Sequence, residues 1–207
     1  MRAFRPEELT MLIKNWKKEI LTIPNLLSLF RLVLIPVYVA IYLNADSNAD
    51  YFLSAAILAV SCLTDLIDGK IARHFNMIST LGKILDPLAD KATQFTLILC
   101  LATEYPVLWY LVGLFVIKEG FQLIAGGIRF KKGIMLKGAL LSGKICTTIL
   151  FLSLILMVLL HDLSPDVVTV IFIVDVVFML ISFGDYLLAY LKNDSKFQPV
   201  NQDNQDA

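Results

Sequence analysis

Nitrogen and sulfur ligands are scarce in this sequence, which holds two histidines and three cysteines. Cys62, Cys100 and Cys146 lie far apart inside apolar stretches. Their odd number argues against a disulfide framework, and they read as small packing residues. His74 and His161 fall in expected loops with no second ligand at metal spacing, so they read as solvated or interfacial residues. The opening MRAFRPEELTMLIKNWKKEI lacks the apolar core and small-residue cleavage site of a secretory signal. Basic residues are missing from three places in particular: residues 44–50, 103–105 and 161–165 contain none of the 18 lysines and arginines.

What the chain has in abundance is apolar surface. Hydrophobic residues make up 57% of it and the mean hydropathy is +0.73, values that belong to membrane proteins rather than soluble domains. Six segments, near 26–43, 51–68, 84–102, 106–128, 138–160 and 166–191, are long enough or nearly so to cross about 30 Å of hydrocarbon as helices. The expected fold is therefore all-α, a multi-pass protein of six transmembrane helices occupying residues 23–191. The positive-inside rule uses the three lysine- and arginine-free loops to set orientation. It puts both termini in the cytoplasm of a cell membrane, together with the stretch between the second and third spans. Before the first span, Leu9, Leu12, Ile13, Trp16 and Ile20 recur at helical spacing with Lys14, Lys17 and Lys18 off that stripe. Residues 1–22 thus read as an amphipathic helix lying on the membrane surface. Residues 192–207 read as a polar tail expected to be disordered.

One charged stretch interrupts the apolar pattern. DLIDGKIARHFNMISTLGKILDPLAD, residues 65–90, has the spacing D-x2-D-G-x2-A-R-x8-G-x3-D-x3-D. On a helix, Asp65 and Asp68 share one face at the end of the second span, and Asp86 and Asp90 share one at the start of the third. Four close carboxylates repel unless cations neutralise them. Oxygen-only ligands favour Mg²⁺, Mn²⁺ or Ca²⁺ over zinc. A pair of such ions suits in-line phosphoryl displacement, in which both the entering and the leaving oxygen carry charge. Gly69, Ala72 and Gly82 let a bulky ligand approach the backbone, and Arg73 has the donor fork for a phosphate. An acidic solvated loop is the plain alternative. Eight fixed positions match by chance in one window less than roughly once in ten million, which disfavours it.

This pattern resembles the signature of the CDP-alcohol phosphotransferase family, at every fixed position, and the resemblance extends over about residues 22–191. It implies a six-helix membrane enzyme, usually dimeric, in which a hydroxyl attacks the β-phosphorus of a CDP-linked lipid and CMP leaves. It also implies roles. Asp65, Asp68 and Asp86 resemble the ligands of two divalent ions, Mg²⁺ or Mn²⁺. Asp90 resembles the general base, with metal contact as a second role. Gly69, Arg73 and Ser79 resemble nucleotide and diphosphate contacts, beside which Ala72 and Gly82 are placed. Upstream, TIPNLLSLFRLVLIPVYVAIYL resembles the first span of bacterial phosphatidylglycerophosphate synthases, where Asn25 and Ser28 would reach the nucleotide.

The implied donor is CDP-diacylglycerol. For the acceptor, glycerol 3-phosphate is the first expectation, with Arg31, Lys118, Arg129 and Lys144 as candidate phosphate contacts. Arg31 lies two turns into the first span, where a charge demands a partner, either the aspartate cluster or a substrate phosphate. In the glycerol-phosphate branch an arginine, Glu-Phe and a second arginine mark the fourth span. Here KEGFQLIAGGIRFKKG puts Lys118 at the first position and Gly126 at the second. Phosphatidylglycerol, the acceptor of the cardiolipin synthase branch, is the alternative. A cation transporter is the reading from another class. It is disfavoured because the cluster lies at a membrane edge and is not repeated, whereas transporter sites sit near the midplane between repeats. Membrane lipids and a second copy of the chain are the expected partners, and nucleic acid is not.

Overall fold

The structure, a computed structural model, describes residues 23–74, 82–131, 134–136, 140–160, 162–192 and 197–199. The expected surface helix of residues 1–22 lies outside the described residues. The described residues form six helices in chain order: α1 Ile23–Leu43, α2 Asn48–His74, α3 Gly82–Glu104, α4 Leu108–Lys131, α5 Leu141–Leu159 and α6 Pro165–Lys192. Each coincides with one of the six apolar segments. His74 closes α2 rather than lying in a loop.

Two three-residue strands are additions to the all-helical expectation. Strand β1, Ile134–Leu136, pairs antiparallel with β2, Phe197–Pro199, with Met135 opposite Gln198. Part of the segment read as a disordered tail is thus a strand. Runs of three residues are too short for a pattern of alternating polarity to announce them.

Among the described residues four helices are long and apolar enough to cross a membrane: Asn25–Leu43, Leu108–Arg129, Leu141–Leu159 and Pro165–Lys192. The second offers a shorter apolar run, Asn48–Thr64, which ends where Asp65 and Asp68 begin. In the third, Asp86, Asp90 and Lys91 break the apolar composition. The first helix is inverted relative to those of soluble proteins. On α1, Asn25, Ser28, Arg31, Tyr38 and Tyr42 are buried, while Leu26, Phe30, Val33 and Val37 are exposed. In water such a surface would drive aggregation, whereas in lipid it is satisfied. Hydroxyls within the helices are hidden by bonding backwards: Ser54 to the Asp50 carbonyl, Thr93 to that of Ala89 and Thr147 to that of Gly143.

The chain divides into two compact units. One takes in the described residues up to Asn44 together with Ala56–Thr93, and the other Ala45–Ala55 with Gln94 onward. In the second unit α5 and α4 each pack on α6. The buried face of α6, Val168, Asp175, Met179, Ser182, Tyr186 and Ala189, repeats at three, four and seven residues, the period of a helix seam. Cys100 and Cys146 are buried and Cys62 is half-buried, none of them in a disulfide, which agrees with their reading as packing residues.

The α5–α6 approach depends on a glycine. A Cβ at Gly143 would stand 2.8 Å from the Tyr186 hydroxyl and 2.9 Å from its ring, and Tyr186 is buried. At Gly127 a Cβ would meet nothing within 4 Å. Gly143→Ala is expected to lower stability by about 1–3 kcal/mol through overpacking. Gly127→Ala should be neutral or gain up to about 1 kcal/mol in helix propensity. Thermal unfolding of the two variants in one detergent checks the contrast.

Candidate active site

Helix α1 and residues Ala56–Thr93 belong to the same compact unit. That unit holds residues 65–74 and 82–90 together with the buried polar face of α1. Asp65, Asp68, Gly69, Ala72 and Arg73 occupy the last three turns of α2. Gly82 opens α3, with Asp86 on its second turn and Asp90 on its third. The helical placement expected for both aspartate pairs is therefore present. Side chains of residues 65–74 and 82–85 lie outside what is described, as does Ser79 altogether. Among the described residues no three histidine, cysteine or acidic side chains gather.

The described half of the cluster is held from α1. The Ser28 hydroxyl donates to the Asp86 carboxylate. Arg31 Nη1 donates to Asp90 Oδ1 at 2.5 Å. Asn25, one turn before Ser28, is also buried. The two contacts advance together, 28 with 86 and 31 with 90, so α1 and α3 run in the same direction where they meet. Steps of three on α1 and four on α3 each amount to about one turn, which keeps the pairs in register. Pro87 sits between the two aspartates and has no N–H to offer the preceding turn.

Arg31 is the fully buried member of its pair, at 2% side-chain exposure, whereas the Asp90 side chain is 45% exposed. Of the two partners open to Arg31 from sequence, the aspartate cluster is the one in contact. Burying a guanidinium in an apolar bundle is costly unless a carboxylate or its equivalent meets it. Here the carboxylate meets it from the exposed side.

The other candidate phosphate contacts lie in the second unit. Lys118 is buried in mid-α4 and its Nζ donates to Glu119 Oε1 at 2.6 Å. Roughly 15 Å of helix separates it from the start of α4, a depth at which a lone ammonium would not persist. Arg129 donates to the Tyr190 carbonyl, and its guanidinium carbon lies 5.8 Å from the Tyr190 ring centroid. It thereby satisfies one of the last carbonyls of α6, where a cation is favoured. Lys144, one turn into α5, is exposed. A Cβ on Gly126 would lie 3.3 Å from the Tyr190 hydroxyl, so a tyrosine tip fills the space beside that glycine.

Sequence left Asp175 without a partner, and the structure supplies Ser153 of α5, with Ser153 Oγ 2.6 Å from Asp175 Oδ2. The same hydroxyl is 2.8 Å from the Leu150 carbonyl. A hydroxyl has one proton, so Ser153 shares it between the Asp175 carboxylate and the Leu150 carbonyl. The pair is 22 residues apart, and only the i, i+3 and i, i+4 relations within a helix are readable from spacing.

Comparison with known proteins fits this geometry. A profile described as CDP-alcohol phosphatidyltransferase matches residues 21–182. A CDP-diacylglycerol–glycerol-3-phosphate 3-phosphatidyltransferase of Aquifex aeolicus is 33% identical over 83% of this chain and 97% of its own length. A putative cardiolipin synthase of Mycobacterium tuberculosis is 40% identical over 46% of this chain, and the match spans only 44% of that protein. A cardiolipin synthase (CMP-forming) of Streptomyces coelicolor is 33% identical over 55% of this chain and 54% of its own.

Proposed function

Since the chain belongs to the CDP-alcohol phosphatidyltransferase family, we propose that it transfers the phosphatidyl group of CDP-diacylglycerol to glycerol 3-phosphate in phospholipid synthesis. The products are phosphatidylglycerophosphate and CMP. The observation that carries this reading is the anchoring of both α3 carboxylates by the buried polar face of α1. The near full-length likeness to the Aquifex protein points to the acceptor.

The acceptor oxygen bonds to the β-phosphorus while the bond from that phosphorus to the oxygen bridging to CMP breaks. The hydroxyl proton passes to the Asp90 carboxylate, since an alcohol is a poor nucleophile at neutral pH without a base within hydrogen-bond reach. Asn25, Gly69, Ala72, Arg73, Ser79 and Gly82 form the nucleotide and diphosphate side of the site. The donor set fits hard cations: the described acids offer oxygen alone, from two carboxylates one turn apart. Two Mg²⁺ or Mn²⁺ ions bound by Asp65, Asp68, Asp86 and Asp90 would neutralise the diphosphate and the departing CMP.

We place the enzyme in the cell membrane with six crossings, both termini and the site cytoplasmic, as a homodimer. Same-direction α1 and α3 require α2 to return between them, and the basic loops alternate accordingly. A second reading takes phosphatidylglycerol as acceptor. It is favoured by the engagement of Lys118 with Glu119 and of Arg129 with Tyr190, which commits two cations to the protein itself.

Purified protein given CDP-diacylglycerol and each acceptor in turn decides between them. CMP release is expected with glycerol 3-phosphate. Release with phosphatidylglycerol alone moves the chain to the second reading, and release with neither ends both. A chelator should bring CMP release to background, and added Mg²⁺ or Mn²⁺ should restore it; activity that persists after chelation would remove the metal from the proposal.

A further inference from the structure

We infer that Arg31 is a positioning residue for the Asp90 base, acting through that carboxylate rather than meeting the acceptor's phosphate. The inference rests on the phosphatidyl-transfer reading. Three observations carry it. The guanidinium touches Asp90 at 2.5 Å. It is 2% exposed where Asp90 is 45% exposed, so the cation lies on the inner side of the carboxylate and an incoming substrate meets the acid first. A parallel contact, Ser28 to Asp86, sits one turn away on both helices, which fixes the register of α1 against α3 and with it the place of the guanidinium.

An aspartate has two side-chain torsions, and a charge-assisted hydrogen bond to one oxygen removes most of their freedom. Proton transfer needs a reach of about 2.6–3.2 Å in a suitable pose. A base already held in one orientation meets that requirement without ordering during the reaction. A phosphate ligand, by contrast, has to be reachable by phosphate, and Arg31 is covered.

The test compares Arg31→Met, Arg31→Lys and Arg31→Met combined with Asp90→Asn in full-length protein. Loss of an orienting partner typically costs about 10–100-fold, and Arg31→Met is expected to lower kcat within that range. KM for CDP-diacylglycerol and for the acceptor should stay within about threefold, the pattern of an interaction used in the transition state. Arg31→Lys should recover about fivefold or more of the lost kcat, because a cation remains near Asp90. On the Asp90→Asn background, Arg31→Met should cost less than about twofold, since residues that act as a unit are not additive. CMP affinity measured by calorimetry should be unchanged in Arg31→Met.

A rise in acceptor KM with kcat retained would make Arg31 an acceptor contact and overturn the inference. So would an equal cost of Arg31→Met with and without Asp90. Should Arg31→Met fail to fold, Arg31→Lys carries the test through the same split, a lower kcat at constant KM. Wild-type protein releasing no CMP with any acceptor defeats the underlying reading, an outcome visible before any Arg31 variant is made.

Discussion

Asp90→Asn is expected to lower kcat by about 10³-fold, in the middle of the range for a lost general base. Affinity for CDP-diacylglycerol should change little. The amide has nearly the size and shape of the acid, and its oxygen still accepts from Arg31, so the α1–α3 contact survives while the capacity to take a proton does not. Leaving a buried arginine with no acceptor would destabilise the protein, because breaking one half of a buried pair typically costs about 3–5 kcal/mol. The retained amide oxygen and the exposed position of Asp90 hold the loss well below that. Equilibrium binding of the CDP-lipid beside single-turnover CMP release separates the two effects. Binding lost together with turnover would make metal or substrate holding, rather than proton transfer, the main role of Asp90.

Asp86→Asn should behave in the opposite way. It weakens nucleotide binding and metal dependence together, raising the metal concentration for half-maximal activity and the KM for CDP-diacylglycerol by about 100-fold, the scale of a lost charge-assisted contact. Residual turnover at saturating metal and lipid should fall much less. Asp86 accepts from Ser28, and the amide oxygen can keep that bond, so the variant should stay folded. Titrating Mg²⁺ at several CDP-diacylglycerol concentrations is the measurement. A pure fall in kcat with both half-saturation values intact would exchange the roles given to Asp86 and Asp90.

The helical placement of the aspartates could be read before any coordinates. The aspartates announce themselves because each pair lies within one or two turns of chain, where spacing and geometry are the same statement. All six helices were legible for a similar reason, since long apolar segments have few alternatives. That α2 and α3 are less apolar than the rest follows from the acids they carry. The partners were harder. Arg31 and Asp90 are 59 residues apart, and depth alone said that Arg31 needed a counter-charge without saying whether the protein or a substrate supplied it. The opposite happened at Lys118: its partner Glu119 is the next residue, yet neighbours in sequence normally diverge on a helix. Arg129 was read as a phosphate contact from its charge, but its position at the end of α6, against Tyr190, depends on how two helices far apart in sequence come together.

The Arg31–Asp90 contact also sets a condition on how the protein is made. α1 leaves the ribosome before α3, carrying the Arg31 guanidinium roughly 12 Å along its axis. At about 5–20 residues per second, the ribosome takes roughly 3–12 s more to produce the acid that will meet it. Through that interval, an arginine in the core of the bilayer carries an insertion penalty of about 2.5–3.5 kcal/mol. α1 therefore has reason to linger at the translocon or tilt its charge toward the headgroups, and it settles only when α3 arrives beside it. The contact proposed to order the base also holds α1 beside α3 in the membrane.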